Sequence, residues 1–244
     1  MKNRREELPD LPKIPMNWTW IIATLAATVG IVVLMLTVYY PSIPDPMPTH
    51  WNGSGEADAW EPKTMGTFLF SVLLGPVILL ATAMFAQMMV SMQSGDITGP
   101  GGAKTAAEAH RKWASLNATS KHIGWFFFVM NTAILLMMLN AYRPEPLRAG
   151  FALSMIAIFI ATAVLLWCIV KSTRTVEQKH PLAEDKKRWG IFVNDPDNKS
   201  PLVDTGTGMN YTFNIAHTSG KILAVVMMGL PIVFVVWISI SSLL

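Results

Sequence analysis

The sequence has one cysteine and five long stretches without any ionisable side chain. The single thiol, Cys168, lies inside an apolar run, which excludes an intramolecular disulfide and argues against a redox role. Asp, Glu, Lys, Arg and His are all absent from residues 17–40, 64–94, 123–142, 149–170 and 222–244. Because proton relays and ion-coupled transport normally need ionisable groups at membrane depth, this pattern argues against a self-sufficient transporter.

The common catalytic and nucleotide-binding motifs are also missing. The sequence contains no HExxH zinc motif, no GxGxxG fingerprint and no Walker-type lysine. An EF-hand loop starting at Asp195 would need a glycine at position 200 and a glutamate at position 206, where the chain has Ser200 and Gly206. Asx turns are therefore the better interpretation of this stretch. These absences argue against an enzyme, and we expect no cofactor.

Apolar residues, by contrast, are abundant: 52% of the chain is hydrophobic and only 14% is charged. This composition is too apolar for an ordinary soluble domain and is typical of a protein in a lipid bilayer. A helix of about 20 apolar residues can cross a bilayer, and each of the five uncharged runs is long enough. The sequence therefore predicts an all-α integral membrane protein with five transmembrane helices.

The distribution of basic residues predicts the orientation of these helices. With the N-terminus inside, only Lys63, Arg143 and Arg148 of the 19 Lys and Arg residues lie outside, which leaves 16 on the cytoplasmic side. The positive-inside rule therefore favours an N-in, C-out topology and explains the basic excess without direct nucleic-acid binding. The predicted cytoplasmic segments are a disordered tail at 1–16, a loop with a short amphipathic helix at 95–122 and a module at 171–221, while a loop at 41–63 and a short link at 143–148 lie outside.

The outer loop at 41–63 carries the densest set of reactive side chains. Its prolines at 41, 44, 46 and 48 predict a stiff polyproline-like strap, which a turn at Asn52-Gly53 follows. Four acidic residues against one lysine give the loop a formal charge of −3, which would attract cationic peptides. Trp51 and Trp60 are predicted to insert into the membrane interface, so that the loop forms a lid on the bilayer. The charged residues are Asp45, Glu56, Asp58, Glu61 and Lys63.

A metal site is an alternative interpretation of the same loop. The imidazole of His50 and the nearby carboxylates are suitable ligands for zinc or a similar ion. Their spacing matches no established metal motif, and a polar loop of this size often contains a histidine and several acids by chance. A hydrogen-bonded loop core and a ligand-contact surface are the other two interpretations. The candidate metal ligands are Asp45, His50, Glu56 and Asp58.

The loop resembles the outward-loop signature of a bacterial family of membrane domains. The runs YPSIPD (40–45), MPTHWN (47–52) and GEAD (55–58), with Lys63 after them, are similar to a pattern of the form L-P-D-x-I-P-x-H-[FW]-[ND]-x-x-G-x-x-D. Pro46 departs from that pattern. The family includes the SdpI-like immunity proteins, which protect a cell from a secreted peptide toxin and can hold a cytoplasmic repressor at the membrane. The predicted ligand-contact or motif residues are Pro44, Asp45, Pro48, His50, Trp51, Asn52, Gly55, Glu56, Asp58 and Lys63.

The cytoplasmic module has a different pattern, with two short β-prone runs. Trp189–Val193 and Met209–Phe213 flank residues rich in turn formers, which predicts a small β-hairpin in the last cytoplasmic loop. The stretch resembles a small module often attached to the same family, although Asp204 and Thr205 stand where that pattern is usually basic. The module residues that the resemblance marks are Trp189, Gly190, Asn194, Pro196, Asp197 and Asn214.

The resemblance implies a multi-pass protein of the bacterial cytoplasmic membrane that senses, or gives immunity against, an extracellular peptide, and the acidic loop favours a cationic one. Such a protein could relay occupancy of its loop to a cytoplasmic regulator. One alternative is a structural or accessory subunit of a larger membrane complex such as a transporter, since small residues recur on the uncharged helices. A second is a metal-dependent enzyme at the outer surface. Copurification of a stoichiometric membrane partner would favour the subunit. Elemental analysis that finds no bound transition metal would exclude the enzyme.

Overall fold

The computed structural model describes residues 8–52, 56–99, 102–147, 149–182, 188–189, 192–204 and 211–241. Within these residues there are five α-helices: α1 (Trp18–Leu34), α2 (Met65–Gly95), α3 (Ala106–Ala141), α4 (Gly150–Lys179) and α5 (Thr218–Ser241). A π-helical turn (Met35–Tyr39) and a 3-10 turn (Tyr40–Ser42) extend α1. Short strands form two-stranded antiparallel ladders: β1 (Met47–Trp51) with β2 (Ala57–Glu61), β3 (Arg188–Trp189) with β4 (Phe192–Val193), and β5 (Leu202–Asp204) with β6 (Tyr211–Phe213).

The chain divides into two compact units. The bundle unit comprises Pro15–Ser91 and Ala118–Lys171, and it contains α1, the β1–β2 hairpin and most of the apolar length of α2, α3 and α4. The module unit comprises Met1–Ile14, Met92–Asn117 and Ser172–Leu244, and it contains β3 to β6 and α5. The predicted outer loop therefore belongs to the first unit, and the predicted cytoplasmic module to the second.

Four helical segments are long and apolar enough to cross a membrane: Trp18–Ser42, Met65–Gly95, Ala106–Ala141 and Gly150–Lys179. They contain four of the five predicted spans, and many of their exposed side chains are large and apolar, as lipid-facing surfaces require. The fifth predicted span overlaps α5, where the shorter apolar helix Thr218–Met227 is recognised. The fifth crossing and the N-in, C-out topology stay predictions.

The α3 helix corrects one of these predictions. The sequence predicts a short cytoplasmic helix and then a separate span at 123–142, but α3 is one helix of 36 residues, about 54 Å long. Its start is capped in the predicted way: the Thr105 hydroxyl accepts a hydrogen bond from the Glu108 amide (3.2 Å), and the Glu108 carboxylate accepts one from the Lys104 amide (2.8 Å). No proline follows before the apolar run, so the helix continues without a break.

Buried amide side chains join the helices of the bundle unit. Gln87 on α2 donates to the Ser120 carbonyl (2.8 Å) and accepts from the Ser120 hydroxyl (2.7 Å). Asn131 on α3 donates to the Thr28 hydroxyl on α1 (2.9 Å). Since lipid offers no alternative partner, such hydrogen bonds help to hold neighbouring helices together.

Gly124 allows α3 to approach α1 closely, which gives a first testable prediction. A Cβ atom at Gly124 would lie 2.4 Å from Cδ1 and 3.0 Å from Cβ of Trp20, whereas one at Gly30 would meet nothing within 4 Å. Replacing Gly124 with alanine is expected to cost about 1–3 kcal/mol, because the Trp20 ring has to move. Thermal unfolding of the purified protein in detergent measures the effect. Gly30→Ala is the matched control, and we expect it to be neutral or stabilising because alanine favours helix; equal midpoints for the two variants would contradict the prediction.

The N-terminal arm is held against the module unit in its described part, contrary to the predicted disorder of residues 1–16. The Trp113 indole donates to the Pro12 carbonyl (2.7 Å), and the Ile14 amide donates to the Ser94 hydroxyl (2.9 Å). The side chain of Ile14 is only 4% exposed. The prediction failed because the proline-rich composition does not show that one isoleucine has a buried site to occupy.

The strands of the module unit do not pair as the sequence predicts. In the first run the described residues of β3 (Arg188–Trp189) pair with β4 (Phe192–Val193), and Tyr211–Phe213 pairs with Leu202–Asp204. The contact between the two predicted runs is a parallel bridge from Val193 to Asn214. Among the described residues the two runs therefore form no antiparallel hairpin with each other.

Candidate functional site

The predicted outer loop folds as a β-hairpin between α1 and α2. Met47 lies opposite Glu61, Pro48 opposite Trp60 and Trp51 opposite Ala57, with irregular pairing around His50. The predicted polyproline-like strap is wrong at both ends of the proline series, because Pro41 lies in the 3-10 turn and Pro48 lies within strand β1. A proline is tolerated there since a strand of a two-stranded ribbon has an unpaired side that needs no amide donor.

The first strand of the hairpin is anchored in the core of the bundle unit. Met47 is fully buried and Ile43 is 4% exposed. Both belong to one apolar cluster with residues from three helices and the π-helical turn. The other members are Val32, Met35, Phe68, Val72, Leu135 and Tyr142. Because Met47 is buried in one cluster with side chains from α1, α2 and α3, the strand is fixed to the bundle and is not a free tether.

Aromatic contacts hold the same strand in place. Its ring packs edge-to-face on Tyr142, with 5.2 Å between the ring centroids, and it is only half-exposed. Tyr142 also packs on Phe68 (5.6 Å), and its hydroxyl donates to the Pro48 carbonyl (3.0 Å). Trp51 thus packs against the core, whereas Trp60 is 50% exposed, and the insertion of both rings into the membrane interface stays a prediction.

Asp45 and Lys63 close the base of the hairpin. The Asp45 carboxylate accepts a hydrogen bond from the Lys63 amide (3.0 Å). The Lys63 ammonium donates to the carbonyls of Ile43 (2.7 Å) and Pro41 (3.3 Å), and it lies 5.1 Å from the centroid of the Tyr40 ring. These two motif residues therefore hold the entry and exit strands together. Pro44, which the motif also marks, is exposed.

Asn52 and Glu56 close the tip of the hairpin. The Asn52 amide donates to the Glu56 carbonyl (2.8 Å), and the Glu56 amide donates to the Asn52 side-chain oxygen (3.0 Å). The predicted turn starts at Asn52, and its continuation through Gly55 lies outside the described residues. Asn52 thus acts as a turn-forming residue, as its chemistry predicts.

The second strand presents the acidic surface. His50 Nδ1 and Asp58 Oδ1 are 2.5 Å apart, and the two side chains are 69% and 45% exposed. Asp58 to Glu61 are all exposed, and so is Glu56. A solvent-exposed ion pair of this kind adds little to stability. Because the acidic side chains are exposed, they are accessible to a ligand.

The predicted metal ligands do not converge in the structure. Asp45 is engaged with the Lys63 amide, and Glu56 is turned toward the Asn52 amide group, with 3.4 Å between Oε2 and Nδ2. Only His50 and Asp58 come together. In the part of the chain that the structure describes, no group of three or more His, Cys, Asp or Glu side chains could hold a metal ion.

In the module unit, Asn214 has the central role among the residues that the sequence marks. Its fully buried side chain donates to the carbonyls of Asp195 (2.9 Å) and Asn198 (2.7 Å) and accepts from the amides of Asp195 (3.0 Å) and Ala216 (3.2 Å). Asn194, Pro196 and Asp197 lie exposed around this centre, Trp189 is in β3, and Gly190 is outside the described residues. The Asp197 amide donates to Asp195 Oδ1 (3.1 Å), which is the predicted Asx turn.

The sequence did not predict a buried ion pair or the stacked histidine pair near it. The fully buried Arg111 lies 3.3 Å from Glu177, which is 21% exposed. The rings of His110 and His180 stack with their centroids 5.4 Å apart. The only available sequence signal was the amphipathic helix containing His110 and Arg111, which predicts a polar surface and not a contact with the end of α4.

The histidine pair gives a pH prediction. Burial lowers the pKa of His180 below its ordinary 6.5, and the nearby charges of His110, Lys179 and Arg111 lower it further. Because the folded protein then binds fewer protons than the unfolded chain, stability falls as the pH drops through 6.5 toward the lower folded pKa. An NMR titration should place the pKa of His180 below 6.5, and His180→Gln should reduce the loss of thermal stability on acidification. A folded pKa above the ordinary value would contradict this account.

The apolar helices and the hairpin together define a class. Several helices that can cross a bilayer indicate a multi-pass membrane protein. A family model described as a domain of unknown function (DUF1648), a domain found in membrane proteins, matches residues 27–75. This match covers the second half of α1, the whole hairpin and the start of α2. No curated protein and no solved structure matches the chain.

Proposed function

We propose that the chain is an SdpI-like membrane protein that senses, or gives immunity against, an extracellular cationic peptide through the β1–β2 hairpin. The observation that supports this most directly is the difference in burial between the two strands. Strand β1 is anchored in the bundle core through Met47 and Pro48, whereas β2 presents Asp58, Trp60 and Glu61 to solvent, next to the exposed Glu56 that precedes it. The match of the family model to the same segment and the motif resemblance agree with a role for the hairpin.

Electrostatics and rigidity both favour a cationic ligand. The net formal charge of residues 41–63 is −3 with Lys63 included, and the Lys63 ammonium group is directed to backbone carbonyls and the Tyr40 ring. An anionic surface of this kind raises the rate of encounter with cations. Since the core fixes the hairpin before binding, little conformational entropy remains to be lost when a peptide binds.

Continuity of α3 offers a route from the hairpin to the other end of the same helix. Tyr142, immediately after α3, contacts Trp51 and Pro48 in the hairpin. The helix then runs without interruption back to Ala106. A displacement of the hairpin on binding would therefore act directly on α3, through which occupancy could reach a cytoplasmic regulator.

The test combines peptide binding with protection of cells. The triple variant Glu56→Gln, Asp58→Asn, Glu61→Gln is expected to bind a lysine–valine heptapeptide at least tenfold more weakly than the parent protein, as judged by calorimetry in zwitterionic nanodiscs. Glu145→Gln is the control, because this exposed acid lies on the link between α3 and α4.

The second experiment is expression of the protein in a host that is sensitive to a secreted cationic peptide toxin, which should protect the host. Absence of both binding and protection would refute the proposal.

A second candidate, an accessory subunit of a larger membrane complex, is favoured by the sparse burial of α4. Only 6% of the most apolar stretch of this helix is buried, against 22% for each of the other three spans. A partner helix could cover the exposed apolar side chains of α4, which include Leu153, Phe159 and Trp167. Copurification from native membranes distinguishes the two: a stoichiometric membrane partner supports the subunit, and its absence supports the receptor.

A further inference from the structure

Strand β2 is paired on one side only. It runs antiparallel to β1, and no other strand in the described part of the chain pairs with it. Four of its five residues, Asp58 to Glu61, are exposed. The opposite edge of this strand therefore presents backbone N–H and C=O groups to solvent, which is the usual template for adding another extended segment.

The open edge belongs to β2 and not to β1. Met47 and Pro48 of β1 are buried, and the Pro48 carbonyl accepts the Tyr142 hydroxyl. Pro48 also lacks an amide hydrogen, so β1 has fewer donors for a further strand. On β2, by contrast, Ala59 has a side chain too small to shield the backbone.

The charges on β2 select the kind of segment that could pair with it. A second copy of this edge would bring Asp58 and Glu61 close to identical acids, and like charges on neighbouring strands destabilise pairing. Anionic lipid headgroups would be repelled in the same way. An extended peptide with cationic side chains has the complementary charge, and its backbone can use the unpaired edge.

We infer that the cationic peptide of the proposed function binds by β-strand addition to the open edge of β2. The inference rests on that function and specifies its geometry. Side chains alternate along a regular strand, so Trp60 and Glu61 project to opposite faces, while the irregular pairing next to His50 interrupts the alternation before Asp58. Peptide residues on one face meet the exposed indole of Trp60, and those on the other face meet the carboxylate of Glu61. Main-chain hydrogen bonds supply affinity, and the alternating side chains supply specificity.

Backbone methylation of the probe tests the strand geometry without changing the protein. The probe is a heptapeptide of alternating lysine and valine, N-methylated either at all its lysine amides or at all its valine amides. In an added strand, one alternating set of amides faces β2 and the other faces away. One methylated peptide should therefore bind the full-length protein in zwitterionic nanodiscs at least tenfold more weakly than the unmethylated probe, while the other stays within threefold of it.

The outcomes separate this inference from the function on which it depends. If the unmethylated peptide binds and the two methylated peptides have affinities within threefold of each other, strand addition is refuted and charge-driven binding at the hairpin stands. If the unmethylated peptide does not bind at all, the proposed function fails and the inference fails with it. A tenfold difference between the two methylated peptides supports both.

Discussion

Replacing Gly220 with alanine is expected to disrupt the module unit, with a cost of at least about 3 kcal/mol. A Cβ atom at this position would lie 1.9 Å from the backbone oxygen and 2.7 Å from the carbonyl carbon of Asn214. The obstacle is backbone and not a flexible side chain, so relief requires the start of α5 to move away from Asn214. Asn214 in turn holds Asp195 and Asn198 through its buried amide group.

The same helix supplies the control for this variant. A Cβ atom at Gly229 would meet nothing within 4 Å, so Gly229→Ala should be neutral or slightly stabilising. Limited trypsin digestion at the exposed Lys199 reports local opening of the module. We expect Gly220→Ala to be cut much faster than the parent protein and Gly229→Ala to be cut at the parent rate. Equal rates for the two variants would contradict the close approach of α5 to Asn214.

Truncation of Met47 is expected to loosen the hairpin and weaken peptide binding together. Met47 is fully buried in the cluster that includes Met35, Phe68 and Tyr142. Removing its thioether and methylene groups leaves a cavity, and buried Met→Ala changes cost about 2–5 kcal/mol. Because the strand that carries Met47 also positions β2, a loosened hairpin should bind the lysine–valine heptapeptide more weakly although no acidic residue has changed.

Met65→Ala is the matched control for this prediction, since Met65 starts α2 next to the hairpin and is 48% exposed. It should change neither the thermal midpoint nor the affinity appreciably, because little packing is lost at an exposed site. The account would be contradicted if Met47→Ala kept the parent affinity while the thermal midpoint fell. The buried strand would then stabilise the protein without positioning a binding surface.

The uncharged runs predicted the apolar spans well, because a charged side chain in the hydrocarbon core of a bilayer is costly at every position of a crossing helix. The second predicted span, 64–94, differs from α2 (Met65–Gly95) by a single residue at each end. The predicted helix start at Ile123 was wrong, because charged residues show where a helix can leave the hydrocarbon core of the bilayer and not where the helix itself begins. The polar stretch from Ala114 to His122 contains no proline or glycine, so α3 continues through it.

The hairpin was less predictable because its structure depends on contacts far away in the sequence. The four prolines favour an extended chain, but only Pro48 lies in strand β1, and the prolines do not reveal that β1 pairs with β2. Trp51 and Trp60 have the same intrinsic affinity for an interface, and only the position of Tyr142 places one of them in the core. The importance of Tyr142 was missed because a tyrosine at the end of an apolar run is equally typical of an interfacial anchor.

The module residues show how a resemblance can mark positions without revealing their roles. Asn214 was marked, and the structure places it at the centre of a hydrogen-bond network around Asp195. The pairing of the strands was not predictable because runs of two or three residues carry almost no register information. Arg111 and Glu177 were missed for a related reason, since a polar helix face does not show which of its charges becomes buried against another helix.

Labelling of a cysteine placed on β2 in intact cells tests the central claim most directly. Ala59→Cys puts a thiol on the exposed edge of the hairpin, Lys199→Cys puts one on the module, and Cys168→Ser removes the native thiol from both proteins. A membrane-impermeant maleimide should label position 59 rapidly and position 199 only after permeabilisation, and the lysine–valine heptapeptide should slow labelling at 59. Labelling at 199 but not at 59 in intact cells would place the hairpin on the cytoplasmic side and contradict its encounter with an extracellular peptide.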